Sequence, residues 1–231
     1  MNTENGQSLR RHGLVHLIIG ILVFGSIWGL LEATLGGFLN LIIFPNKGAI
    51  LGGIGMAIMG VALAKYRKPA MLAGIGVVAA SFKLLNVWLM FVNPLGIVGP
   101  VAAIISESLA MGLVAVFVMR RMKSSSLVSV GAGLLVGIVA AVAWVYFAVY
   151  GAHLPVYERM GVGSIAEFIT GIGLVQAVFY GIFLPAGYFI GEKLAAVRVP
   201  ALSRRPVYYA TSAAVVVFCW GISALAVMSG L

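Results

Sequence analysis

Seven runs of mostly apolar residues account for most of this chain: 14–36, 49–64, 70–92, 96–119, 126–150, 164–190 and 208–229. A helix needs about 20 such residues to cross the hydrocarbon core of a bilayer. Lipid offers no partner to backbone N–H and C=O groups, so a spanning segment must satisfy them internally, as a helix or a closed barrel. Barrel strands would alternate apolar and polar residues over blocks of about ten, and no such alternation is present. The sequence therefore predicts an all-α integral membrane protein, a polytopic bundle of about seven transmembrane helices. Composition agrees. The chain is 62% hydrophobic and 9% charged, against about 25% charged in a soluble domain, too little polar surface to cover a globule in water.

The net charge of +9 does not point to nucleic acid, because the basic residues form no single patch. They fall between the apolar runs. With the N-terminus inside, the inner connections carry Arg10, Arg11, Lys65, Arg67, Lys68, Arg120, Arg121, Lys123, Lys193, Arg198, Arg204 and Arg205; the outer ones carry only Lys47 and Arg159. Cytoplasmic loops of membrane proteins concentrate Lys and Arg. The expected protein is multi-pass in the cytoplasmic (inner) membrane, with a cytoplasmic N-terminus and an extracytoplasmic C-terminus. The apolar run after Arg10 and Arg11 outlasts a secretory h-region and has no A-x-A site after it, so it reads as a retained first span.

Spans one to six pair into three outward-turning hairpins, with Pro45, Pro94 and Pro155 in the outer turns. The organisation is thus a tail at 1–13, a six-helix bundle at 14–190, a basic linker at 191–207 suited to the inner membrane surface or to solvent, and a seventh helix at 208–231. Small residues recur four apart at Gly25 and Gly29, Gly133 and Gly137, and Gly187 and Gly191, a spacing that lets helices approach closely. Cys219 is the single cysteine and the three histidines are scattered, so neither a disulfide nor a metal or cofactor site is expected. His12 and His16 sit at the inner edge of the first span.

Three charged residues fall well inside spans, Glu32, Lys83 and Glu107, while Glu167 only begins the sixth near the outer surface. A charge at the centre of a spanning helix costs about 2.5–3.5 kcal/mol even on the mildest scale. All three fall at depths where they meet in the outer half of the bundle. Asn86 shares a helix face with Lys83, and Trp28 shares one with Glu32. Trp88 and Trp144 lie in the outer halves of their spans, and Gln176 lies near the middle of the sixth. Two readings follow. Lys83 and Glu107 pair and hold the second hairpin to the rest, leaving Glu32 to a proton or a ligand's cation. Alternatively Glu32, Lys83, Asn86, Glu107, Trp28, Trp88 and Gln176 line an outward-facing site for a small polar or zwitterionic solute.

The chain of hairpins, with its glycine-rich FPNKGAILGGIGMAIMG stretch after the first outer turn, resembles the substrate-binding (S) components of energy-coupling factor vitamin transporters. The resemblance covers about residues 14–190. It implies a six-helix pocket near the outer face, docked through its inner side on a transmembrane coupling subunit driven by ATPases. The seventh span departs from that family, as does the absence of AxxxA in the first span, where Gly25 to Gly29 is the nearest equivalent. The chain carries no GxxxxGK[ST] loop, so an ATP-driven step would need partners. With no nucleophile–base pair or cofactor motif, it is not expected to be an enzyme. The expected function is a solute-binding or transport subunit; an accessory subunit of a larger membrane complex and a stand-alone proton-coupled carrier are the alternatives.

Overall fold

The computed structural model describes residues 3–42, 46–197 and 204–230, with side chains from residue 13 onward. Among these residues the protein is helical and without strands, and seven helices are long and apolar enough to cross a membrane. In chain order they are α1 (Thr3–Leu41), α2 (Lys47–Tyr66), α3 (Met71–Ser81) with α4 (Leu84–Met90), α5 (Pro94–Met122), α6 (Ser126–Tyr146), the short α7 (Val156–Met160) and α8 (Ile165–Phe168), α9 (Leu174–Ala196) and α10 (Arg205–Met228). One π turn follows α6 and another joins α8 to α9. Pro45 and residues 198–203 of the expected linker, Arg198 among them, lie outside the described residues, and the side chains of Arg10, Arg11 and His12 lie outside the described side chains.

Six helices close a ring. α1 packs on α2, α2 on α9, α9 on α6, α6 on α5, α5 on α3, and α3 returns to α1. Each expected hairpin therefore supplies two neighbours. The seventh spanning helix, α10, lies outside the ring against α1 and α4. Phe82 meets Trp220 there with ring centroids 4.2 Å apart, and His16 stacks on Tyr208 at 5.0 Å. Cys219 is buried in the same contact.

The glycine pairs lie at the closest contacts. A Cβ at Gly25 would meet Val78, and one at Gly29 would meet Phe82, so α1 and α3 touch there. Gly133 and Gly137 face Tyr180 and Ala177 across α6 and α9, and Gly187 and Gly191 face Ala57 and Val61 across α9 and α2. In lipid, helix association rests on such van der Waals contact.

The third span is interrupted. Between Ser81 and Leu84 the backbone tightens into bonds from residue i to i−3: Phe82 N–H to Ala79, Lys83 to Ala80 and Leu85 to Phe82, at 3.2, 3.0 and 3.1 Å. Such a tight turn inside a helix redirects the side chains beyond it, and Lys83 sits on that turn.

The ring is filled along only part of its length. Met56, Leu63, Leu72, Ile75, Met111, Val136 and Leu184 are fully or almost fully buried in one core cluster. On each helix these lie toward the end that carries Lys65, Arg67, Arg120, Arg121 and Lys193. Toward the opposite end the ring is hollow.

Side-chain volume added where backbones touch must separate α9 from α2. We expect Gly187→Val, whose Cβ would fall on the Ala57 carbonyl, to cost about 1–3 kcal/mol or more. Gly131→Ala, at a position with nothing within 4 Å, serves as the control and should be neutral. Thermal unfolding in detergent compares them.

Candidate functional site

The hollow end contains a cavity of ≈ 930 Å³, at the upper end of the range for small-molecule sites. Its lining gives way to the core along each helix, with Ile104 on α5 and Ala140 on α6 belonging to both. On α2 it covers Lys47 to Gly52, and the core starts at Met56; on α5 it covers Gly96 to Glu107; on α6 it runs from Ala140 to Trp144. The cavity is thus a well, closed below by packed methionine, leucine and isoleucine and opening at the end away from the basic clusters.

Polar side chains from five elements gather at its floor and lower wall. Lys83 Nζ lies 3.0 Å from Glu32 Oε2 and 3.3 Å from the Glu32 carbonyl oxygen, a two-point hold on α1 from the α3–α4 turn. The pair is mostly removed from solvent, the lysine side chain being 16% exposed and the glutamate 9%. This corrects the pairing of Lys83 with Glu107, and it corrects the view that Glu32 has no cation of its own. Asn86 lines the cavity beside the pair, its amide donating to the Lys83 carbonyl at 3.4 Å.

Glu107 belongs to a second, separate group. Gln176 Nε2 on α9 donates to Glu107 Oε1 at 3.2 Å and also reaches the Tyr180 hydroxyl one turn on. Tyr180 in turn hydrogen-bonds the Glu107 carboxylate. The Gln176 bond is on Oε1; Oε2 is buried with no hydrogen-bond partner among the described residues. Gly52 makes room for this group, since a Cβ there would fall on the Tyr180 hydroxyl and lie 2.8 Å from Glu107 Oε1. The glycine of α2 is as much a part of the floor as the acid of α5.

The aromatic wall differs from the sequence expectation. Trp28 is 0% exposed and packed in the closed core against Gly55, outside the cavity lining. Trp88 is 62% exposed on α4 and also outside the lining. Their place is taken by Trp144 and Phe168, stacked with centroids 5.3 Å apart. Trp144 is fixed by its indole N–H, which donates to the Gly99 carbonyl at 2.9 Å.

At the rim stand Lys47, bonded to Asn40, and Arg159 on α7. The third hairpin's connection folds back here, with Val156, Arg159 and Met160 on the cavity. The end of the seventh helix reaches the same rim through Val227 and Gly230. Sequence reasoning passed over Tyr180, although its i, i+4 relation to Gln176 was a usable signal, and it took Lys47 and Arg159 only as loop charges. Among the described residues no group of three metal-ligating side chains occurs.

Comparison with protein-family models, with curated proteins and with solved structures finds no match to this chain.

Breaking a buried ion pair from one side leaves the other charge without compensation, at about 3–5 kcal/mol. Lys83→Met should therefore destabilise the bundle by roughly that amount. Lys83→Met combined with Glu32→Gln should recover much of the loss. Unfolding in mixed micelles of denaturing and native detergent measures both; a double variant no better than the single one would deny the pairing.

Proposed function

We propose that this protein is a membrane-embedded subunit that binds a small water-soluble solute for transport, with its cavity at the extracytoplasmic face. The observation that carries the reading is the well itself. It is of ligand size, open at one end, and lined at its closed end by ionisable and amide side chains from separate helices. A bundle that needed these groups only for cohesion would pack them against one another and leave no space.

The orientation follows from the positive-inside bias, which puts the closed, basic end in the cytoplasm and the mouth of the well outside. Several features suit the resemblance to the substrate-binding components of energy-coupling factor transporters. Six helices in a ring enclose a pocket near one face, and the chain carries no nucleotide-binding motif. On this reading a transmembrane coupling subunit and ATPases drive release of the solute to the cytoplasm. The outer helix α10 is an addition to that plan, braced on the ring by Trp220 and Tyr208.

Native mass spectrometry of the gently purified protein tests this. The wild type should retain a small molecule that Ala103→Trp, which fills the well from α5, excludes without loss of thermal stability. A bundle that carries no solute and stays bound to larger subunits would favour the accessory-subunit reading instead.

A further inference from the structure

The charges around the well are sorted by depth. We propose that it takes an elongated zwitterion in one orientation, with a cationic N–H-donor head on Glu107 at the floor, a flat middle against Trp144, and an anionic tail at Lys47 and Arg159 on the rim. This deepens the solute-binding reading and rests on it.

The floor is the first support. Lys83 is committed to Glu32 by two contacts, so these two charges cancel locally. Among the described residues Glu107 has no cation as a hydrogen-bond or ion-pair partner. It is 5% exposed, lines the well, and keeps one carboxylate oxygen without a partner. A buried acceptor in that state bears its full desolvation penalty, the more so when charged. An amidinium or ammonium head would supply the missing charge, and the missing donor once the carboxylate turns its buried Oε2 toward the well.

The rim is the second, independent support. Arg159 and Lys47 line the mouth without an ion pair in the described residues, and among those residues no carboxylate lines the rim to oppose them. Gly52 lies against the Glu107 group, and Lys47 is five residues before it on the same helix, about 8 Å along the axis. That is roughly the length of one benzene ring substituted at both ends. The stacked pair of Trp144 and Phe168 lies on the same well, and aromatic faces favour flat apolar bodies and cations alike.

The probes are benzamidine, benzoate and 4-amidinobenzoate, titrated calorimetrically at up to millimolar concentration. The wild type should bind benzamidine and not benzoate, and 4-amidinobenzoate more tightly than benzamidine. Glu107→Gln should weaken both amidines by about tenfold or more. Lys47→Ala with Arg159→Ala should erase only the advantage of the added carboxylate. The comparison of benzamidine with benzoate needs no variant to fold. Benzoate binding as well as benzamidine, amidine affinity unchanged in Glu107→Gln, or no binding of any probe would overturn the proposed polarity. If the purified protein retains a solute in the well yet treats the probes alike, the binding reading stands and this inference falls. If probe binding survives Ala103→Trp, the well is not the site and both fall.

Discussion

A lysine and a glutamate 3.0 Å apart inside an apolar bundle set the terms for the rest of this structure. Neither residue can face lipid alone, and each resolves the other's cost. The lysine sits where the third span breaks its helix, and the contact ties that break to α1. The ring of six helices is then anchored at the level where its packing changes. Below it the interior is methionine, leucine and alanine with backbones in contact. Above it the helices enclose a well. The ion pair is therefore both a joint and part of the boundary of the site.

The closed half depends on what is missing from the side chains. Glycines at the α2–α9, α6–α9 and α1–α3 contacts bring backbones together. The same residue type shapes the hollow end, where Gly52 admits the Tyr180 hydroxyl and the Glu107 carboxylate. Outside the ring, α10 covers the outer surface of α1 and α4 and brings its last residues to the mouth. It is positioned to support the rim without contributing to the floor.

Much of this was legible in the sequence because the bilayer leaves few choices. Apolar run length gave seven helices, hairpin pairing gave three of the six ring contacts, and small residues four apart marked three of the closest contacts. Glu32, Lys83, Asn86, Glu107 and Gln176 all line the well, since intramembrane polar groups have few other places to go. Partner choice was not legible. Depth along a span is known only to within a turn when helix ends are uncertain, and Lys83 can reach either acid within that error. The break at Phe82 has no Pro or Gly to announce it. The tryptophans failed for a related reason. Trp28 does share a face with Glu32, but it lies one turn deeper, where the ring is filled. Trp88 is at the right depth and on the outer side, because depth says nothing about rotation around the helix.

We propose a water-accessible well that opens on the extracytoplasmic side and ends at the Glu107 layer. Cysteine accessibility in intact cells measures this most directly. In a Cys219→Ser background, a single cysteine at Ala103 in the well wall should react with a membrane-impermeant thiol reagent added outside. One at Ala115, in the closed core of the same helix, should not. Failure of the Ala103 position to react, or equal reaction at both, would contradict an open well above a sealed floor.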